Sequence, residues 1–428
     1  MTYIHTKNTN SRTASIIGSC LRTAAVISIL GLAVGGVQAQ QIDYPSYHWK
    51  EPTYGAFLKE LKTDFESKNP GVTIKDTFVP YTSYVDQMYI DITAGNAPDI
   101  LTSLDPDFKR YIDADLLEPL DAYLEAAGYS IDDFIAPAQL AVKDGHIYGI
   151  PFLTNPRALF VNKKMLDKAG LPLPTNLEEF NKVVSALRDP STQTFGVAIS
   201  AQSGAPGMQF LEYAPYFASF GAKFFTEGKP TADTPEMIKA LTFYKDIVDQ
   251  GLVPKGAKFD IYRPMFMNGK IAMYVAGPFM GALTQSTNAE TYSDLVTIPL
   301  QLGGGKPLTV TNYLAIPKNA KNKDASAKLL MTILQDDWQK RIVALTNTIP
   351  GRKGMVPDSI LAENAWFKTF AELGDSATSY APEGAEQYGS DIINIIGGHI
   401  ERMLFTGVPA EQVSTEMQAD LVKFIESK

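Results

Sequence analysis

Phe266-Met-Asn-Gly-Lys-Ile-Ala-Met-Tyr-Val-Ala-Gly-Pro-Phe-Met-Gly281 is the stretch whose reading settles the architecture. Phe266 and Met267 read as the apolar end of a helix, and Gly269 stands where a left-handed cap is wanted. Ile271 to Val275 is an apolar run with the length of a buried strand. Gly277-Pro278 stops that strand, and proline suits the first turn of a new helix. Phe279 then falls at the carboxyl end of the strand, the edge at which open α/β sheets hold their ligands. Taken alone, the same pattern slightly favours a plain strand-to-helix turn with Phe279 in the core.

Length and composition frame this element. The chain of 428 residues exceeds a usual single domain, so two lobes are expected. Its 45% hydrophobic and 20% charged content is ordinary for a globular protein. Lys7, Arg12 and Arg22 form a positive n-region, Ala24 to Val34 an apolar h-region, and Val37-Gln38-Ala39 a small-residue cleavage site. Residues 1–39 are thus expected to be a secretory signal peptide, too short and wrongly flanked for a membrane span. Without it the chain keeps 35 basic and 47 acidic groups, a net charge of about −12. That balance disfavours nucleic acid and anionic membranes as partners. The lone cysteine, Cys20, leaves with the signal, so neither disulfides nor thiol chemistry is expected. A lipid anchor on Cys20 is disfavoured because the apolar run follows it. A soluble periplasmic protein is the expectation.

Along the chain, strands alternate with helical patterns, which implies an α/β fold with a mostly parallel sheet. A first strand is expected to begin after Tyr44-Pro45, followed by the loop His48 to Pro52. Tyr54, Phe57, Leu58, Leu61 and Phe65 make one helical stripe, and Tyr84, Val85, Met88, Tyr89 and Ile92 another. Asp144-Gly145 is a hairpin turn signal. Thr175 and Glu178 are spaced as a capping box. Gly303-Gly-Gly-Lys306 reads as a hairpin tip between extended segments, not a phosphate loop, because Pro307 stands where Ser or Thr is needed.

Several blocks resemble the extracellular solute-binding proteins of ABC transporters, the maltose-binding-protein-like group for carbohydrate uptake. The 266–281 stretch is similar to their F-x-x-G-K-x-A-M … G-P-W signature, with Phe279 in place of the sugar-stacking Trp. The aromatic face is kept and the indole N–H donor is lost. Ala94 to Ile100, Lys143 to Phe152, Leu159 to Gly170, Thr309 to Lys318 with Asn319 to Leu334, and Thr348 to Lys353 resemble further blocks of that family, in order along nearly the whole mature chain. The resemblance implies a type II periplasmic binding protein-like fold, two α/β lobes joined by a multi-segment hinge. Residues 40–152 with 310–348 would form the N-terminal lobe, and 153–309 with 349–428 the C-terminal lobe. It also implies a monomer that closes on a small-molecule carbohydrate and docks on membrane permease subunits, with no cofactor. By position in those blocks the ligand-binding residues would be Trp49, Lys50, Tyr81 and Asp105 from the first lobe, and Arg157, Gln209, Phe279 and Arg352 from the second. Asn312 and Tyr313 would join them from the strand that re-enters the first lobe.

Enzymatic chemistry finds little support. The mature chain holds no cysteine and only His48, His146 and His399, and no G-x-S-x-G elbow occurs. Asp105, Asp107, Asp113 and Asp115 lack the Gly and terminal Glu of a calcium loop, so no metal site is expected. A secreted lyase or glycosidase stays open, because carboxylate separation is invisible in sequence. So does a binding protein for a non-sugar such as a glycerol phosphodiester or a polyamine.

Overall fold

The computed structural model describes residues 40–428 except 203, 205, 255, 257 and 375; the expected signal segment, 1–39 with Cys20, lies outside the described residues. The chain starts in strand Gln40–Ser46, which runs parallel to Val72–Phe78, with Ile42 opposite Ile74. The expected strand start after Pro45 is therefore corrected: Pro45 and Ser46 end the strand. Tyr47–Lys50 then coil into a short 3-10 turn whose His48 N–H donates to Ser46 Oγ. Helix Pro52–Lys68 is the crossover between the two strands.

A second sheet is built around strand Leu308–Ala315, which pairs antiparallel with both Ile150–Pro156 and Leu101–Leu104. Ile349–Pro350 adds to the far edge of Ile150–Pro156, and Thr378–Ser379 lies parallel to Leu308-Thr309. A third sheet has the order Leu295–Ile298, Ala158–Asn162, Ile271–Ala276, Phe195–Ala198. The expectation of a mostly parallel arrangement is corrected, since both large sheets are mixed. The reason is topological. A chain that leaves one lobe and comes back must lay its return strand beside the outgoing one in the opposite sense.

That passage is abrupt. Strand Ile150–Pro156 belongs to the second sheet and Ala158–Asn162 to the third, so Arg157 alone spans the change of sheet. The return runs through residues 299–307. The Gly303-Lys306 hairpin is corrected as well, because its flanking strands belong to different sheets. The glycines serve another purpose there. Gly303 and Gly305 both donate to the Ser219 carbonyl, and a Cβ on Gly305 would lie 1.7 Å from the Ala218 carbonyl oxygen.

The two lobes have their own cores. Ile42, Phe57, Phe65, Phe152 and Leu330 belong to one buried apolar cluster of the first lobe, and Phe108 and Tyr313 to its neighbour. In the second lobe, Val161, Phe217, Tyr244 and Ile396 share a large cluster, while Phe160, Phe266, Tyr274 and Phe370 share a smaller one. The 266–281 stretch folds as its spacing requires: helix Phe259–Met267, Gly269 at φ +68°, the wholly buried strand Ile271–Ala276, then helix Phe279–Thr287. Met273 and Val275 face the large cluster, and Tyr274 and Ala276 face the small one. Asp144 and Gly145 take φ of +53° and +83° at the tip of the hairpin Val142–Lys143/His146–Ile147. The capping box shifts by one residue. Asn176 Oδ1 accepts from Glu179 N–H, and the Glu179 carboxylate accepts from Thr175 N–H.

Candidate functional site

Where the chain changes sheet, the Arg157 backbone N–H donates to the Leu308 carbonyl, and its side chain turns into the protein, 9% exposed. The guanidinium lies 5.9 Å from the Phe279 ring centroid, and its Nε donates to the Tyr380 hydroxyl at 3.3 Å. Tyr380 donates in turn to the Leu211 carbonyl at 3.0 Å. That carbonyl is free because Pro215, four residues on in helix Pro206–Ser219, has no N–H to give it. Gly277 makes room for the arrangement: a Cβ there would come 2.8 Å from Arg157 Nη1 and 3.1 Å from Asn155 Cβ.

A second guanidinium faces the same ring. Arg263 Cζ is 5.5 Å from Phe279 and 4.6 Å from Phe259, so it is bracketed by two aromatic faces. Its Nη2 pairs with Glu212 at 2.9 Å and its Nε donates to the Tyr274 hydroxyl at 2.9 Å. The other Glu212 oxygen accepts from the hydroxyls of Tyr262 and Tyr274. Burial opposes the Arg263 charge, and Tyr274 and Glu212 more than offset it, so the guanidinium stays firmly protonated. Three residues before Glu212, and so on the same face of the helix, Gln209 is 4% exposed with no partner for its Nε2. Asn155, 5% exposed, likewise leaves its Oδ1 unpaired.

Residues of the turn Tyr47–Lys50 and of strand Leu308–Ala315 form their own network. His48 bridges Glu51 Oε2 at 3.0 Å and Asn312 Oδ1 at 3.1 Å, and Asn312 Oδ1 also accepts from the Tyr47 hydroxyl at 2.8 Å. Tyr54 sits edge-on to the His48 ring, with centroids 4.8 Å apart. Burial and the Glu51 carboxylate push the Tyr54 phenol up, while Asn155, Arg157 and Arg263 pull it back. Beside it lies a second knot. Asp105, fully buried, accepts from Thr311 N–H and from Ser379 Oγ, both at 2.9 Å, which ties three separate passes of the chain together. Burial raises its carboxyl to about 7 against the pull of those bonds. Tyr81 packs edge-on to Tyr47 at 5.1 Å, and burial, Asp107 and Asp105 raise its phenol.

The structure therefore brings Arg157 and Phe279 together, sets Gln209 one turn before Glu212, ties Asn312 to His48, and holds Tyr81 on Tyr47 and Asp105 on Thr311 and Ser379. It sends four of the expected residues elsewhere, and these placements are corrections. Trp49 is a core residue, 4% exposed, whose indole N–H is spent on the Tyr44 carbonyl at 2.7 Å. Lys50 lies on the surface with its ammonium 4.4 Å over Phe78. Tyr313 is fully buried, stacked on Phe108 at 4.6 Å, with its hydroxyl on the Pro137 carbonyl. Arg352 is held by Asp336 and the Leu334 carbonyl. The cluster also contains residues that spacing did not reveal: His48, Glu51, Tyr54, Asn155, Glu212, Phe259, Arg263, Tyr274 and Tyr380. His48, Glu51 and Tyr54 recur every third residue, a faint sign of one shared face.

Two expected outcomes follow from these placements. Trp49→Phe should cost about 1 kcal/mol in denaturant unfolding, the worth of one hydrogen bond, and leave ligand affinity unchanged. Asp105 binds its proton more tightly folded than unfolded, so its stabilising contribution is complete near pH 4 and fades as pH rises through about 7. Wild type should therefore lose stability relative to Asp105→Asn as pH rises from 4 to 8, by roughly 1–4 kcal/mol. Melting curves of both proteins from pH 4 to 8 would show it.

The aspartates of the 105–115 stretch take separate partners. Asp107 accepts from Ser390, while Asp113 pairs with Lys143 and Asp115 with Lys318. His146 contacts Asp121, and His399 contacts Asp420. A cavity of about 470 Å³ lies beyond Tyr380, lined by Phe210, Ala214, Phe224, Ile392 and Ile396. Lys223, Lys306, Thr378, Ser379, Glu383 and Glu386 also line it, so its wall mixes apolar and polar groups. The unpaired amides belong instead to Asn155 and Gln209.

The family model described as bacterial extracellular solute-binding protein matches residues 49–340. A binding protein of Brucella abortus (strain 2308) is 26% identical, over 82% of this chain and 85% of its own length. The maltotriose-binding protein of Pyrococcus abyssi (strain GE5 / Orsay) is 24% identical, over 66% of this chain and 60% of its own. Among solved structures, an ABC transporter solute-binding protein from Thermotoga lettingae TMO, bound with α-D-tagatose, superposes with a TM-score of 0.77. It is 20% identical and covers 90% of this chain and 100% of its own.

Proposed function

The chain belongs to the bacterial extracellular solute-binding protein family, and from that premise we propose that it captures a sugar or oligosaccharide between its lobes for an ABC importer. The observation that carries the proposal is the cluster at the crossing. An aromatic face, Phe279, stands between two guanidinium groups, with the unpaired amides of Asn155 and Gln209 nearby. A pyranose offers flat apolar faces and a rim of hydroxyls, which are the two surfaces such a cluster can satisfy. A hydroxyl or amide left unpaired there costs about 1–3 kcal/mol, so polar pairing sets selectivity. Similarity to proteins described with maltotriose and tagatose supports the same class of ligand.

In this proposal the lobes are residues 40–152 with 310–348 and 153–309 with 349–428, and ligand draws them together about the strands that cross near Arg157. The closed form docks on the membrane permease, and the protein works as an exported monomer in the periplasm without altering its cargo. A panel of mono- and oligosaccharides tested by thermal shift on the mature protein checks the reading. A sugar at 100 times its Kd should stabilise the native state by about 2.7 kcal/mol. Turnover of a carbohydrate by the pure protein, the alternative lyase or glycosidase reading, would refute it.

A further inference from the structure

We infer that the solute carries a single carboxylate, as in a uronic acid or an oligosaccharide containing one, and that Arg157 receives it; this rests on the carbohydrate reading above. The argument is one of charge. Arg263 has its carboxylate, Glu212, at 2.9 Å. Arg157 is more deeply buried, and among the described residues it makes no ion pair; its one side-chain hydrogen bond goes to a neutral hydroxyl. Of the other carboxylates, Glu51 is engaged by His48 and keeps 43% of its side chain in water, and Asp105 is buried on the Thr311 N–H and Ser379 Oγ. Arg157 thus has no carboxylate in ion-pair reach, and the Glu212 charge acts on it only at a distance while pairing with Arg263.

Removing a cation from water without a counter-charge costs several kcal/mol, and the cost disappears when an anion arrives with its oxygens in reach. The Arg157 fork presents planar N–H donors, which match a carboxylate bidentately. Gly277 leaves Nη1 uncovered by any side chain of its own, and Asn155 stands next to it. Gln209 Nε2, one turn before Glu212 on the same helix, is a further buried donor without an acceptor. A monoester phosphate, near two negative charges at pH 7, would overcompensate the one free guanidinium. Carboxylate is therefore the better match.

Calorimetric titration of the mature protein at pH 7 tests this with matched probes: glucose, glucuronate and glucose 6-phosphate; galactose and galacturonate; maltotriose and trigalacturonate. The expected result is that an acidic sugar binds at least tenfold more tightly than its neutral counterpart. Arg157→Gln should erase that preference, weakening the acidic sugar at least tenfold more than its neutral counterpart. Arg157→Lys, which keeps the charge and loses the fork, should fall between. Equal or tighter binding of the neutral members by wild type would overturn the inference and leave the carbohydrate reading standing, as would a preference for the phosphate. Binding of none of the probes would overturn both.

Discussion

Replacing Glu212 with Leu should lower stability by roughly 2–4 kcal/mol, the largest single effect expected in the second lobe. The carboxylate accepts from Arg263, Tyr262 and Tyr274 at once, and its side chain is 11% exposed. Removing it strands one guanidinium and two hydroxyl donors in a site with little water. The figure sits somewhat below the usual range for a broken buried pair because Arg263 keeps 25% of its side chain exposed. Glu212→Gln retains an acceptor oxygen and loses the charge, so about half the cost should remain. Denaturant unfolding of the three proteins measures this. Indistinguishable midpoints would show that the network around Glu212 adds nothing to the fold. The same variants should bind solute more weakly, since Arg263 would no longer be held between Phe259 and Phe279.

The second large effect concerns Phe279. Truncation to Ala removes the ring that both guanidinium groups face, and with it the stacking surface for a sugar. A loss of 10- to 100-fold in affinity is expected for the best sugar of the thermal-shift panel, about 1.4–2.7 kcal/mol. Phe279 opens its helix at a partly exposed position, so unfolding should change by no more than about 1 kcal/mol. Phe279→Trp keeps the face, restores an N–H donor, and should hold affinity within about threefold. If Ala and Phe bind alike, the sugar does not stack there. Scattering of the wild-type protein with and without that sugar would further show whether the lobes draw together.

Local structure was legible wherever a residue's conformation answers to its neighbours in the chain. Gly269 at a left-handed cap, the buried strand after it and the proline-led helix carrying Phe279 all follow from short-range sterics and apolar spacing. So does the Asp144-Gly145 turn. The candidate site was legible only where a local break pointed to it, at Arg157 where one strand run meets the next and at Phe279 after Gly277-Pro278. Trp49 shows the limit. A tryptophan in a loop after the first strand has the chemistry of a sugar-stacking residue, yet a Tyr44 carbonyl five residues away takes its indole N–H and holds the ring in the core.

Sequence alone determined that this is a two-lobed α/β chain with no thiol in its described part and an aromatic residue at a strand end. Tertiary structure decided which polar groups share one space. Glu212, Arg263 and Tyr274 are separated by up to 62 residues, and Arg157 and Tyr380 by 223, but each pair of contacts closes to about 3 Å. Such contacts leave no periodic trace, because a hydrogen bond or an ion pair constrains distance in space and is indifferent to separation along the chain. Whether a charge finds a partner is likewise a property of the folded surroundings. That is why the unmatched guanidinium of Arg157, from which the nature of the solute is inferred, emerges only once the lobes are assembled.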